Sequence, residues 1–362
     1  MKFIGNPEEG TAMQKGLVGL AGLAFVILVW VILTNGETPI MSSAILPSPM
    51  SVIRAFPLLI SENELFRHVG LSIGLNLGGY IEAIAITLPI GFIVGLMKYF
   101  RWGFHRQIDA FRYVPLTAVL QLFIFWFGIA TGMKMHFLAF GIIIFLLPVM
   151  IQRIDEVDDV YLKTVHTLGA TDWQVLKTVY FPSVISRLFD DIRVLTAISW
   201  TYIIVAETTN SNQGGIGALL YNVGARMVRP DKLFALLVII ILIGFVQDKL
   251  FVKLDKVLFP FKYQAKEAIK SSRLEQKALW RTIFDFALLA LGWIITCLYL
   301  LFLLNEFVPF LSGLKPLSYL FGDRLWAVNL VFFFVLFVSG YTWYKQRTEQ
   351  QILSQLSKTA TT

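Results

Sequence analysis

The stretch that decides the fold runs from residue 135 to residue 183. It begins MHFLAFGIIIFLLPVMI (135–151), with no Lys, Arg, Asp or Glu. It continues QRIDEVDDVYLKTVHTLGATDWQVLKTVYFPS (152–183), which opens on a cluster of charges. A helix rises about 1.5 Å per residue and needs roughly 20 apolar residues to cross a hydrocarbon core about 30 Å thick. The change of texture at Gln152 therefore marks a membrane-crossing helix that ends in water and is followed by a polar, water-exposed element.

Working outward, the apolar texture recurs along the chain. Spans are predicted at 17–34, 72–97, 113–129, 135–151, 184–208, 233–252, 282–304 and 325–344, with a short turn around Gly132 joining the third and fourth. The composition agrees, with 56% hydrophobic and 15% charged residues in 362. A water-soluble globule could not cover such a chain with polar surface, whereas a bilayer asks for no cover. The expected fold class is all-α, a polytopic transmembrane helical bundle. The apolar stretch Leu17–Leu33 is long for a signal-peptide core and meets no small-x-small cleavage site, so an uncleaved first span is expected. Cys297 is the single cysteine, which excludes a disulfide within the chain.

The net charge of +7 sits between the apolar runs rather than in one stripe, a topology signal rather than a nucleic-acid footprint. With a cytoplasmic N-terminus, 23 Lys and Arg fall on inside segments and 8 on outside segments. The outside set is Arg54, Arg67, Lys134, Arg226, Arg229, Lys232, Lys315 and Arg324. That bias places 152–183 and both termini in the cytoplasm. The basic stretch Lys249–Arg281 reads either as an ordinary positive-inside linker or as a cytoplasmic helix near the headgroups.

Within 152–183, Val157, Tyr161, Thr164/Val165 and Leu168 recur at helical spacing. Gly169 suits the left-handed position that ends a helix, because it has no Cβ to clash. Thr171-Asp172-Trp173-Gln174 reads as a capping box, opening a second short helix with Trp173, Leu176 and Val179/Tyr180 on one side, stopped near Pro182. Helix, glycine turn, helix does no chemistry by itself. Its apolar face must pack under the protein's own spans or enter a partner's groove.

Few residues elsewhere invite a chemical role. Glu82 lies inside the second span, where a carboxylate is costly unless paired or wetted, and reads as a pathway group or as a structural pair. Asn76 and Gln121 are span-embedded amides, either interhelical hydrogen bonds or solute contacts. Glu207 lies at the outer end of the fifth span, beside Thr208, Thr209 and Asn210. His68, His105, His136 and His166 are scattered without metal-ligand spacing, so neither metal nor cofactor is expected. Trp126, Trp200 and the phenylalanines read as lipid-facing or packing residues; Trp280 and Trp343 suit the membrane interface.

The polar loop resembles the EAA loop of the permease subunits of bacterial ABC importers, E-A-A-x3-G-x9-I-x-L-P. The register gives Lys163-Thr164-Val165, then Gly169-Ala170, then Val179, Phe181 and Pro182, with Leu168 just before the glycine. Lys163 reverses the charge of the family's Glu. The chain further resembles the nitrate/sulfonate/taurine/bicarbonate branch. The carriers are Leu46-Pro47-Ser48-Pro49, Asp109 through Pro115, Phe127-Gly128-Ile129 with Lys134, Leu168-Gly169-Ala170-Thr171-Asp172-Trp173, Val205-Ala206-Glu207 and Gly214-Gly215-Ile216-Gly217.

The resemblance implies a type I ABC-importer permease-like core at 45–260, including the coupling loop 152–183. It leaves 1–44 as an N-terminal segment with the first span, and 261–362 as a basic linker with about two extra C-terminal spans. It further implies a bacterial inner-membrane location and a transport subunit rather than an enzyme. The implied partners are ATP-binding cassette ATPase subunits gripping the loop, a second permease subunit in a homodimer, and a periplasmic or lipoprotein solute-binding protein. The implied cargo is a small anion or sulfonate-like solute, with Glu207 raised as a lining or gate residue. The sequence holds no G-x-x-x-x-G-K-[ST] phosphate cradle, so ATP hydrolysis is expected on a partner. The competing readings are an ion- or proton-coupled secondary transporter or channel using Glu82 and Glu207, and a non-transporting membrane scaffold.

Overall fold

The structure is a computed structural model that describes residues 12–36, 39–263, 279–308 and 314–359; side chains of the helix that starts at 279 are described from Gly292. Every regular element among the described residues is helical. In chain order they are α1 (Ala12–Thr34), α2 (Pro49–Glu62), α3 (Leu65–Leu96), α4 (Lys98–Phe111), α5 (Leu116–Phe127), α6 (Thr131–Asp155) and α7 (Asp159–Thr167). Then come α8 (Asp172–Val175), α9 (Phe181–Thr208), α10 (Ile216–Tyr221), α11 (Pro230–Leu258), α12 (Leu279–Phe307), α13 (Pro316–Phe321) and α14 (Leu325–Thr359).

Each of the eight expected spans has a helix, but not every helix is a simple span. Among the described residues, five are long and apolar enough to cross a membrane: α1, α3, α6, α11 and the run Pro316–Thr342. The span expected at 113–129 is corrected. Its helix, α5, has 12 residues, about 18 Å by helical rise and too short alone for the hydrocarbon core. It follows α4 across a 105° bend, so the pair forms one broken element. Pro115, which cannot donate to the preceding turn, sits at the start of α5, and Gly128 ends it at φ +70. The turn to α6 is therefore built on Gly128, not on Gly132, which lies inside the first turn of α6.

The segment expected to span at 184–208 falls in α9, 28 residues long, which is not among those five. Its first half carries Arg187, Asp190, Asp191 and Arg193, and ion pairs hold all four. The basic stretch from Lys249 begins as the last turns of α11, where Asp255 is buried and pairs with Lys262 at 2.9 Å. Residues 264–278 of that stretch lie outside the described residues, as do the side chains of Trp280 and Trp343.

The chain parts into two units. One comprises Met1–Leu65 and Leu219–Leu242. There Ser48 caps α2, its hydroxyl accepting from the Ser51 N–H at 3.3 Å, with Pro49 in the first turn where no N–H is needed. Trp30 of α1 donates to the Pro47 carbonyl at 2.9 Å. Lys232 is buried and donates to Glu62 at 2.7 Å and Asn63 at 2.9 Å.

The other unit comprises Phe66–Ala218 and Ile243–Thr362. Its centre is α6, whose buried face includes Phe137, Leu138, Ile142, Leu146 and Met150, packed on α9. Phe123 of α5 joins Phe137, edge-on at 5.8 Å, in one apolar cluster with Met133 and Ala206. α3 reaches α6 through Gly79, Gly91 and Gly95, which face Leu138, Met150 and Ile154 with no room for a Cβ. Small residues at such a contact let backbones approach closely, which is how helices gain packing where lipid supplies no hydrophobic drive.

Candidate functional site

The polar loop folds as local rules require. α6 ends at Asp155, and Asp158 caps α7 by accepting from the Val160 N–H at 2.9 Å. α7 ends on Gly169 at φ +76, the Ala170 N–H reaching the Val165 carbonyl and the Gly169 N–H the His166 carbonyl. That pair of bonds is a Schellman turn. Thr171 and Gln174 then form the capping box: the Thr171 N–H donates to Gln174 Oε1 at 2.8 Å, and the Gln174 N–H to Thr171 Oγ1 at 3.4 Å.

Two details of the loop differ from expectation. The second helix does not stop at Pro182. After α8 the winding widens to a π-type turn over Leu176–Tyr180 and runs on into α9, with Pro182 in its first turn. The wider turn lets the Phe181 N–H reach Leu176, and a proline placed there needs no donor of its own. The apolar face is also rotated. Val157 is buried and Leu162 and Val165 are half-buried, while Val160, Tyr161, Leu168 and Trp173 stay exposed. None of the α7 residues is fully buried. Lys163 and Thr164 face outward, Lys163 lying 3.9 Å from Asp159; Ala170 and Val179 are half-buried, and Phe181 stacks on Phe92 at 6.0 Å.

Ion pairs tie the base of the loop to the spans. Arg153 grips Asp191 of α9 with two bonds of 2.8 Å and donates to Glu156 at 2.7 Å. A planar guanidinium matched to a carboxylate in this way fixes orientation as well as distance. Arg187 adds a bond to the Glu156 carbonyl at 3.0 Å, and Arg101 pairs with Asp155. The Arg153 guanidinium, with help from Gln152 and Arg187, holds the Glu156 carboxyl below its ordinary range against a smaller opposing effect of burial.

The far end of the same helix carries a second constellation. Glu207 is fully buried. Its carboxylate accepts from Ser72 Oγ at 2.7 and 2.8 Å and from the Gly217 N–H at 2.8 Å, while Ser72 Oγ accepts from the Ile216 N–H at 2.8 Å. Hydrogen bonds to a charged group are worth about 1.5–3 kcal/mol each, and the start of α10 adds the favourable end of a helix dipole. Gly214 and Gly215, at φ +74 and +108, turn the chain so that its backbone can come this near; a Cβ on Gly215 would lie 2.1 Å from the carboxylate. Lys134 and Arg324, both buried, act electrostatically on Glu207, and Lys134 Nζ also donates to the Asn210 carbonyl at 3.1 Å. Lys134, Lys232 and Arg324 were counted above as outer-loop charges. They are instead buried, each beside an acidic group or a hydrogen-bond acceptor.

Of the four residues singled out in the spans, two meet at one interface. Asn76 of α3 donates to Ser199 of α9 at 3.1 Å, one turn along α3 from the Ser72–Glu207 contact. Glu82, half-buried, instead pairs with His136 of α6 at 2.7 Å. Gln121 lies on the exposed side of α5, apart from both. Sequence reasoning missed Ser72, Ser199, His136 and the role of Arg324. Polar residues repeating along α3 at Ser72, Asn76 and Tyr80, one turn apart, were the legible signal for Ser72; Arg324 carried none.

Residues 87–258 match the family described as binding-protein-dependent transport system inner membrane component. Over that segment, just under half of its length, the chain is similar to the inner-membrane components of such transport systems. Among its relatives, the putative aliphatic sulfonates transport permease of Bacillus subtilis is 26% identical over 70% of this chain and 91% of its own. The taurine transport system permease of Escherichia coli is 24% identical over 64% of this chain and 84% of its own. The putative aliphatic sulfonates permease of Escherichia coli is 28% identical over 55% and 78%. The described helices include several long and apolar enough to cross a membrane, and the loop just described falls within the matched segment.

Proposed function

We propose that this permease forms half of the translocation pathway of an ATP-driven importer for a sulfonate-like organic anion, and that its 157–182 loop is the handle by which an ATPase subunit moves it. One observation carries the proposal. The loop is a pre-formed helix–turn–helix with an unpartnered apolar rim (Val160, Tyr161, Leu168, Trp173), and its second half continues as one helical run to the buried Glu207. A displacement of the rim by a partner is passed along a rigid rod rather than absorbed by a hinge.

In this reading, Lys163, Thr164, Leu168 and Gly169 meet the ATPase, while Val165, Ala170, Val179, Phe181 and Pro182 keep the loop on its rod. The Lys at 163 calls for an acidic group on the partner where relatives of the EAA type offer a Glu. Asn76 and Glu207 fix how α3 and α9 meet at the outer gate; Glu82 and Gln121 are the polar side chains left to face the pathway. A second copy of the chain completes the pathway, and a binding protein delivers solute from the outside. The membrane is the bacterial inner membrane, with both termini cytoplasmic. The sulfonate class rests on the named relatives, because a fold alone does not choose a solute.

Affinity purification of the full chain from its own membranes tests this. Recovery of a Walker-motif ATPase in stoichiometric amount, lost on Leu168→Asp together with Trp173→Asp, is the expected result. Recovery of the permease with no such ATPase would favour the secondary-transporter reading and its Glu82–His136 pair.

A further inference from the structure

The C-terminal helices α12–α14 lie beyond the matched segment 87–258, and their contacts give them a specific task. Three glycines of α3, Gly70, Gly74 and Gly78, stand one turn apart and face them. A Cβ on Gly70 would lie 2.5 Å from the Leu320 carbonyl oxygen, one on Gly74 would lie 2.8 Å from Arg324 Cβ, and one on Gly78 would lie 2.9 Å from Met135 Sδ of α6 and 3.7 Å from Ala327 Cβ. The chain between α13 and α14 turns at Gly322 (φ +53) against Leu71. Arg324 then enters the core at 4% exposure, donating to the Leu71 carbonyl at 2.7 Å and acting on Glu207. The other contacts are of the same kind. Arg67 sits over the Tyr319 ring at 5.3 Å, and Ala327 is fully buried. α12 is bound to the pair through Tyr299 to Asn329 at 2.6 Å and Ser318 to Glu306 at 2.7 Å.

A cation inside a membrane protein is expensive unless an anion or carbonyl groups compensate it. The Leu71 carbonyl does so here, with the Glu207 carboxylate held by the next residue, Ser72, and the narrow glycine row makes the approach possible. We infer that the C-terminal helices are a fixed part of the permease core, keyed into α3 by Arg324, which binds the Leu71 carbonyl next to the Ser72 that holds Glu207 and so positions that contact. The inference does not depend on which solute is carried or on which partner drives transport.

Cross-linking in native membranes tests the placement. In a Cys297→Ser background, Gly78→Cys and Ala327→Cys should form a disulfide on mild oxidation, since Cβ atoms about 3.5–4.5 Å apart suit that bond. Ile86→Cys with Ala327→Cys should not. Two maleimide-reactive thiols at 78 and 327 that never cross-link would overturn the placement. Charge replacement tests the role of Arg324 independently. Arg324→Met and Glu207→Gln should each lower the thermal unfolding midpoint of the purified full chain, with Arg324→Lys milder than Arg324→Met. The double variant should regain part of the loss, because each single change leaves the other charge uncompensated. Strictly additive losses would reject Arg324 as the partner of Glu207.

Discussion

Replacing Gly169 separates the proposed coupling role of the loop from its contribution to folding. The residue sits at φ +76, and no heavy atom lies within 4 Å of where a Cβ would be. A side chain there meets open space, so the whole penalty is in the backbone. An L-residue held in the left-handed region costs about 1–2 kcal/mol, more when β-branched and less for Asn. A penalty of that size lowers the ratio of formed to unformed Schellman turn by roughly 5- to 30-fold. Because α7 has no fully buried residue, the loss stays local, and the thermal midpoint of the permease should hardly move. The assay is solute imported per ATP hydrolysed, in proteoliposomes containing the protein with the ATPase and binding protein proposed for it. Gly169→Val should keep hydrolysis while coupled uptake falls by about that 5- to 30-fold factor, Gly169→Ala should be intermediate, and Gly169→Asn should lie nearest the parent. Parental coupling in Gly169→Val would refute the assignment. Equal damage from Asn and Val would refute the backbone argument, because only the backbone distinguishes them here.

Two further outcomes follow from the same geometry. Gly215→Ala puts a Cβ 2.1 Å from the Glu207 carboxylate at φ +108, and should cost on the order of 3 kcal/mol in thermal unfolding, whereas Gly103→Ala, with open space around it, should be neutral or slightly stabilising. Glu156 is held below its ordinary 4.5 by Arg153, so it stabilises the folded loop fully above that value and loses the contribution as pH falls through the lowered one. Limited proteolysis of the loop should therefore accelerate on acidification from about pH 6 to pH 3, and Glu156→Gln should remove part of that dependence.

The loop was legible because its structure is made of neighbours. Asp158 with Val160, Val165 with Ala170 and Thr171 with Gln174 are separated by two to five residues, so residue type and spacing determine the caps and the glycine turn. The apolar runs were legible for a similar reason, since length and composition alone decide whether a helix suits a bilayer. The failures were of two kinds. Apolar composition does not report where a helix bends, so Pro115 and Gly128 shortened α5 below a full span while 113–129 still read as one. Periodicity within α7 identified an amphipathic helix but not its rotation, because which face is covered depends on what lies beneath it.

By itself, then, the sequence determined a helical membrane protein, the sidedness bias of its charges and the capped helix–glycine–helix of residues 157–182. Only the tertiary structure joined Glu207 to Ser72, 135 residues away, and Arg324 to Leu71, 253 residues away. Lys134 and Arg324 looked like ordinary loop cations because burial is not a property of a residue. It depends on distant segments supplying the carboxylate, the carbonyl and the narrow glycine row that make a buried charge tolerable.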